Sequence, residues 1–349
     1  MTLRLVQVGL GNWGQNWFRE VVTKNELVEP VAWVEIDAKA LDAAQHGLNL
    51  PPERCFLHIE DALEHVEADA VLVTASLPGH VPATRAALQA KKHVLLEKPF
   101  VPTMAEGLEL VGLAAQQDRI LMISQNYRFY PAVQRVRELV RDQVLGPISS
   151  VSIDFRRFSN RAPVEHRHYH IWHPLLADMS IHHFDLLRAV LGQEPRRVMC
   201  QTWNPGWSRF VQPPAASMMI TFDGGTVVNY RGSWISQGPQ TNWAGEWHMD
   251  CENGEIVWTS RGEKPDEVLM RQTGKSLSAA TLPTLEARDR SGSLNAFVQA
   301  CQAGEQPETS GEDNLKTIAF LFAAIESAEQ GIPITVADPQ QTATQQQEL

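Results

Sequence analysis

Six residues near the N-terminus, Gly9-Leu10-Gly11-Asn12-Trp13-Gly14, constrain the fold more than any other stretch. They follow the apolar run Leu3-Arg4-Leu5-Val6-Gln7-Val8 and open a segment with helical periodicity over residues 14–24. Strand, glycine turn and helix in that order build a phosphate cradle. One glycine allows the turn, a second lets a pyrophosphate approach the backbone, and a third lets the helix pack on the strand. The anion then rests on unpaired N–H groups at the helix start. The same spacing occurs in ligand-free turns, so its weight comes from context. Apolar runs at 30–34, 70–74, 93–96 and 120–123 continue the pattern, separated by helical stretches at 38–46, 80–90 and 104–117. This alternation predicts a doubly wound α/β Rossmann domain over residues 1–125, because parallel strands need crossover connections.

A dinucleotide site also needs an acidic residue about 20 positions past the glycines, to accept hydrogen bonds from ribose hydroxyls. Glu35 stands there, directly after Val31-Ala32-Trp33-Val34. Asp37 is a second candidate for that contact and equally a cap for the next helix. A carboxylate at Glu35 repels a 2′-phosphate and Ile36 offers no positive charge, so NAD is expected over NADP. Gly9, Gly11, Asn12, Trp13 and Gly14 make up the expected cradle.

At 349 residues the chain has room for about two domains. Past residue 145 the texture changes to strands joined by turns, at 148–155, 197–202, 216–222, 226–234, 243–252 and 255–258. Asp223-Gly224-Gly225 and Glu252-Asn253-Gly254 are hairpin signals. With helices at 175–191, 294–303 and 312–331, residues 126–337 read as an α+β domain with a large antiparallel sheet. The last helix is free to pack back on the first domain. The glutamine-rich stretch 338–349 reads as a disordered tail.

The formal charge of −11 argues against nucleic acid as the main partner. No apolar run approaches the roughly 20 residues of a membrane-spanning helix. Cys55, Cys200, Cys251 and Cys301 lie too far apart for a compact zinc site or a disulfide framework. The first residues run straight into a strand rather than a signal core, and a cytoplasmic protein is the expectation.

Two further motifs carry chemistry. Glu97-Lys98-Pro99 ends an apolar strand, where ligands of open α/β sheets bind and where a lysine can stabilise a developing alkoxide. A surface pair between Glu97 and Lys98 is the plain alternative. Asp178 and His182 are four apart on a helix and share a face, with His183 about 100° away. Histidine suits the proton transfer that accompanies alcohol oxidation. A surface ion pair is again the plain alternative.

Together the stretches Asp69-Ala70-Val71, Pro78-Gly79-His80, Ala87-Leu88 and His93 through Pro99 resemble the Gfo/Idh/MocA oxidoreductases, the glucose–fructose oxidoreductase and inositol dehydrogenase superfamily. Asn126-Tyr127-Arg128 and Asp178-Met179-Ser180-Ile181-His182-His183-Phe184-Asp185 agree in order, so the resemblance runs from about residue 3 to 335. It implies a catalytic set of Lys98, Asp178 and His182, with Ser76, His80, Glu97, Lys98 and Asn126 at the cofactor. It implies Tyr127 and Arg128 near cofactor or substrate, Arg128 being equally readable as an interdomain ion pair. It further implies oxidation of a secondary hydroxyl of a sugar, polyol or derivative, and a homo-oligomer, dimer or tetramer, packed through the sheet of the second domain.

The chain departs from that pattern where Trp172-His173-Pro174-Leu175 and Ser180 stand in place of small glycines. Bulk there should reshape the substrate pocket, with Trp172 and His173 lining it. His166, His168 and His170 alternate and would share one face if extended, which opens a metal reading for the loop 166–173. No recognised zinc spacing supports it. The remaining alternatives are a non-catalytic dinucleotide-binding regulator, a metal-dependent hydrolase built on that loop, and an enzyme that keeps its cofactor and shuttles hydride between two sugars.

Overall fold

The structure is a computed structural model that describes residues 2–262 and 264–339. Two compact units make up the chain: residues up to Asn126 together with Glu286–Leu315, and Tyr127–Leu285 together with the chain from Lys316 on.

In the first unit, strands β1 (Leu3–Val8), β2 (Val28–Val34), β3 (Cys55–Phe56), β4 (Ala70–Val73), β5 (His93–Glu97) and β6 (Leu121–Ser124) form one sheet. Their order is β3-β2-β1-β4-β5-β6 and every pairing is parallel. Crossovers run through α1 (Asn12–Glu20), α2 (Ala38–Leu48), α3 (Ile59–His65), α4 (Leu77–Gln89) and α5 (Met104–Gln117). The order reverses between β1 and β4, the switch point at which such sheets open a crevice beyond the carboxyl ends of the strands. The helix expected over 14–24 is interrupted: α1 stops at Glu20 and Val22–Lys24 tighten into a 3-10 turn. β3 and α3 escaped the sequence reading because two residues carry no periodicity and α3 buries only Ile59 and Ala62.

The second unit opens with α6 (Pro131–Arg141) and β7 (Ile148–Arg156), and then passes through a π-helical turn, Leu176–Ser180, into α7 (Ile181–Leu191). Strands β8 (Pro195–Trp203), β9 (Ala215–Phe222), β10 (Val227–Ser233), β11 (Glu246–Cys251), β12 (Gly254–Thr259), β13 (Glu267–Gln272) and β14 (Ser278–Ala279) follow. Beyond them come α8 (Asp289–Ala303), α9 (Gly311–Gln330) and β15 (Ile334–Thr335). The large sheet runs β14-β13-β12-β11-β7-β10-β9-β8-β15. Both glycine turns close antiparallel hairpins, β9–β10 and β11–β12, as their sequences require. Its single parallel pairing joins β7 to β10. Along β9 and β10, Met218, Ile220, Val228 and Tyr230 are buried while Ser217, Met219, Asn229 and Arg231 are exposed, so one face carries the core and the other is open. From residue 340 the tail lies outside the described residues. Among the described residues no helix is long and apolar enough to cross a membrane.

Candidate active site

The glycine loop is a fitted joint. Gly9 sits at φ +92°, and a Cβ there would fall 2.4 Å from the Ala75 nitrogen, while one on Gly14 would fall 1.9 Å from the Gly9 carbonyl oxygen. The backbone just past β4 therefore excludes a side chain at Gly9, and the loop's own backbone excludes one at Gly14. Gly11 differs: a Cβ there would meet nothing within 4 Å. The protein itself does not require that glycine. Buried Thr74 holds the loop from below, donating its hydroxyl to the Gly9 carbonyl at 2.7 Å, and Gln7 Nε2 donates to the Gly14 carbonyl at 2.8 Å. Neither residue stood out in sequence, although a glutamine buried at the end of an apolar strand is a signal in retrospect.

Glu35 closes the cradle from β2. Its Oε2 accepts from the Leu10 N–H at 2.7 Å and its Oε1 from the Asp37 N–H at 3.2 Å. Each carboxylate oxygen has a second lone pair for a ribose hydroxyl. Asp37 caps α2, accepting from the Ala40 N–H at 2.8 Å. A carboxylate locked at the end of β2 with naked N–H groups beside it fits a dinucleotide.

Trp13, 46% exposed in the first turn of α1, lies under the guanidinium of Arg290, which stacks 4.4 Å above its ring and 5.4 Å from Trp17. Trp17 donates its indole N–H to Glu97 Oε1 at 2.7 Å, and the Lys98 N–H donates to Glu97 Oε2 at 3.1 Å. Burial pushes the Glu97 carboxyl up, and the positive charge of Lys98 and the indole donors pull against it. Lys98 itself is half-buried at the end of β5. His80 is buried in α4 with Nδ1 2.8 Å from the Pro99 carbonyl and Nε2 3.0 Å from the Ala75 carbonyl. Burial lowers its pKa, and a neutral ring donates to one of these carbonyls while lying against the other. It thus ties the loop after Lys98 to the backbone beneath Gly9. Ser76 stands at the N-cap of α4, and Asn126 donates its amide to Asp289 at the head of α8.

In the second unit, Asp178 lies in the π-helical turn and His182 in the first turn of α7. The expected helix over 175–191 is therefore two pieces, the first wound wide because the Ser180 N–H reaches back to the Leu175 carbonyl at 2.7 Å. Such widened turns recur at functional sites. Tyr127 stacks on His182 with ring centres 4.1 Å apart and planes at 14°, and Tyr130 stacks on Tyr127 at 4.9 Å. Arg128 grips both oxygens of Asp185, at 2.7 and 2.6 Å, and both side chains are buried. Tyr127 and Arg128 thereby hold α7 at His182 and Asp185.

Beneath α7, His183 Nε2 lies 2.9 Å from the Trp243 carbonyl, its Nδ1 2.9 Å from the Tyr230 hydroxyl, and that hydroxyl 2.9 Å from Ser180 Oγ. A carbonyl only accepts, so Nε2 carries the proton, Nδ1 accepts from Tyr230, and Tyr230 accepts from Ser180. Burial pulls the His183 pKa down to about 4, which keeps the ring neutral and the chain of donors in one sense. Ser180, which departs from the small glycine of the resemblance, is the first link of that chain.

Trp172 is 39% exposed and meets His173 edge-on at 4.8 Å. The His173 N–H donates to Gln212 Oε1 at 2.6 Å, and the Trp234 indole holds the Pro174 carbonyl at 2.9 Å. The extended alternation expected of His166, His168 and His170 is not formed. Arg167–His170 coil into a 3-10 turn, which removes the common face on which three imidazoles would align. Only two of the rings meet, His166 Nδ1 lying 2.5 Å from His168 Nδ1, with His168 Nε2 on the Ser159 carbonyl. Among the described residues no three His, Cys, Asp or Glu side chains converge to hold a metal ion.

Residues 3–125 match the oxidoreductase family with NAD-binding Rossmann fold, and residues 133–257 match the GFO/IDH/MocA C-terminal domain. The chain belongs to the GFO/IDH/MocA oxidoreductases. It is 26% identical over 351 aligned residues to the uncharacterized protein y4oX of Sinorhizobium fredii, covering 97% of each chain. It is 25% identical to the D-apiose dehydrogenase of Paraburkholderia graminis, over 87% of this chain and 82% of that one. In fold it superposes on the aldose-aldose oxidoreductase of Caulobacter crescentus with a TM-score of 0.83, at 19% identity, over 96% of this chain and 100% of that one. Residues 3–125 of this GFO/IDH/MocA chain are an NAD-binding Rossmann domain.

Proposed function

We propose that the protein is an NAD-dependent dehydrogenase that moves hydride between nicotinamide and a secondary hydroxyl of a sugar, a polyol or a derivative of one. The observation that carries this reading is the built cofactor floor: Gly11 open to a ligand, Glu35 fastened to the loop, and Lys98 just past the carboxyl end of β5 in the same sheet. The names of its relatives, a D-apiose dehydrogenase and an aldose-aldose oxidoreductase, agree with the substrate class.

When bound, the nicotinamide accepts or returns the hydride. In this reading His182 takes the hydroxyl proton, held edge-in by the stacked Tyr127 ring. Lys98 stabilises the alkoxide as charge develops on the substrate oxygen. Asp178 holds a neighbouring hydroxyl from the π-helical turn, and Trp172 and His173 shape the same pocket. Glu35 favours NAD over NADP by repelling a 2′-phosphate, and Ser76 and Asn126 stand with it as cofactor contacts. The open sheet face, where Met219 is 55% exposed, is the surface through which copies pair into a dimer or tetramer. The cytoplasm is the proposed compartment, in keeping with four cysteines that form no disulfide.

Titration with NADH and NADPH, followed by turnover of a sugar and polyol panel with NAD, tests the reading. Lys98→Ala and His182→Ala should lose turnover while NADH still binds; near-normal rates in either variant refute the assignment. Equal or tighter NADPH binding refutes the cofactor preference. Light scattering of the purified chain reads its assembly, and a monomer at micromolar concentration refutes the pairing.

A further inference from the structure

In a chain with formal charge −11, the segment from Arg156 to His170 runs against the trend. Arg156, Arg157, Arg161 and Arg167 fall within twelve residues, with Glu165 as the one acid among them. Ion pairs elsewhere in the second unit bind Arg128, Arg188 and Arg261 to carboxylates, yet none of these four arginines has a carboxylate within 4 Å among the described residues.

Arg157 is the best placed of the four. It follows β7 directly, and its backbone is pinned on both sides: its N–H donates to the Ser233 carbonyl at 2.9 Å and its carbonyl accepts from the Ser236 N–H at 3.0 Å. Its guanidinium lies flat on Trp243, 4.0 Å from the ring centre, and Trp243 is 44% exposed. One edge of the fork is used, Nη1 donating to Gln240 Oε1 at 3.1 Å. The other edge is not: Nε is buried with no hydrogen-bond partner, and Nη2 makes no hydrogen bond to the protein. A half-buried cation costs stability unless an anion compensates it, and a buried unpaired N–H adds to that cost. Trp243, on which the guanidinium lies, is itself fastened to the helix of the candidate base: its carbonyl accepts at 2.9 Å from Nε2 of His183, the residue after His182 in α7. Arg157 is therefore linked through Trp243 to α7, the helix that carries the candidate base.

We propose that the substrate bears an anionic group, a carboxylate or a phosphate on a polyhydroxylated skeleton, and that the unused Nη2 of Arg157 holds it. Nη2 offers N–H donors to the oxygens of such a group in a charge-assisted contact, and the guanidinium charge does not depend on pH in the working range. The Trp243 face fixes the plane of the fork, so the anion is read in one orientation. The inference rests on the dehydrogenase reading and narrows it: acids or phosphates of sugars are substrates, and their neutral counterparts are not. Arg157 acts on specificity and takes no part in the proton or hydride transfer.

The test uses the full-length protein with NAD and a panel of D-gluconate, D-glucuronate, D-glucose 6-phosphate, D-glucose and D-sorbitol. Turnover is read as NADH formation, and binding is read independently by calorimetry. We expect at least about a tenfold advantage in kcat/KM for one anionic class over its neutral counterpart, the carboxylate and phosphate arms showing which. Arg157→Met should raise KM for that anion about tenfold or more with little change in kcat, while Arg157→Lys, which keeps the charge, loses less. Should Arg157→Met fail to fold, the Arg157→Lys and Arg157→Gln pair gives the same ranking. Neutral probes turned over as well as the anions, or an Arg157→Met KM within about twofold of wild type, overturn the proposal. Calorimetric binding of an anionic probe that is lost in Arg157→Met, without turnover of any probe, leaves the anion site standing and removes the dehydrogenase reading. No binding and no turnover of any anionic probe overturn the proposal as well.

Discussion

Single atoms separate the three glycines of the cofactor loop. Gly14→Ala drives a methyl onto the Gly9 carbonyl oxygen at 1.9 Å, an overlap that only a shift of α1 relieves. We expect it to destabilise the first unit by about 1–3 kcal/mol, read by urea unfolding. Gly11→Ala meets no protein atom within 4 Å, so its midpoint should match wild type while NADH affinity falls. A Gly11→Ala variant that binds NADH normally shows that no ligand lies against that residue. The G-x-G-x-x-G spacing was legible in the sequence, but the division of labour was not: Gly9 is required by the backbone just past β4, Gly14 by the Gly9 carbonyl, and Gly11 by no protein atom. Glu97 and His80 show the same limit. Their positions were readable, whereas the Trp17 indole on one, 80 residues away, and the Pro99 and Ala75 carbonyls on the other are set by how the loops fold back.

α7 is held at the scale of the element by two devices. Arg128 and Asp185 form a buried, two-pronged ion pair 57 residues apart in sequence. Removing one partner strands the other charge, so Asp185→Ala should cost about 3–5 kcal/mol. The double change Arg128→Met with Asp185→Leu, which removes both charges, should recover much of that loss. Equal losses in the single and double variants would show that the pair does not act as a unit. The second device is the donor chain from Ser180 through Tyr230 to His183 and the Trp243 carbonyl. The helical period placed Asp178 and His182 on one face, and that much was legible. The π-helical turn between them was not, since it answers to contacts with β10 and the loop before β11 rather than to local propensity.

Titration of the whole molecule follows from its buried imidazoles. His183 has its pKa pulled down to about 4 by burial, and burial also lowers those of His80 and His173. As pH falls below the ordinary histidine value near 6.5, the unfolded chain takes up protons that the folded chain refuses. Stability is therefore full above about pH 6.5 and declines from there toward pH 4, His183 alone contributing about 3 kcal/mol of the change. Urea unfolding at pH 7.5, 6.0 and 5.0 measures the slope. His183→Gln should flatten it, and an unchanged slope in that variant rejects His183 as a source. The division of the chain also belongs to this scale. Periodicity set a change of texture near residue 125, but it could not show that Glu286–Leu315 returns to the first unit and brings Arg290 onto Trp13.

By itself the sequence determined the parallel Rossmann sheet, the glycine loop with Glu35 at the right distance, both glycine hairpins and the four-residue spacing of Asp178 and His182. Each of these is local, set by a period, a turn residue or a short offset along the chain. The tertiary structure alone decided the β7–β10 parallel pairing, the fastening of α7 by Arg128, the stack of Tyr127 on His182, the coiling of the histidine loop and the unpaired edge of Arg157. Those depend on which surfaces remain to be buried once the strands have paired. A guanidinium left without a carboxylate is visible only once the side chains around it are in place.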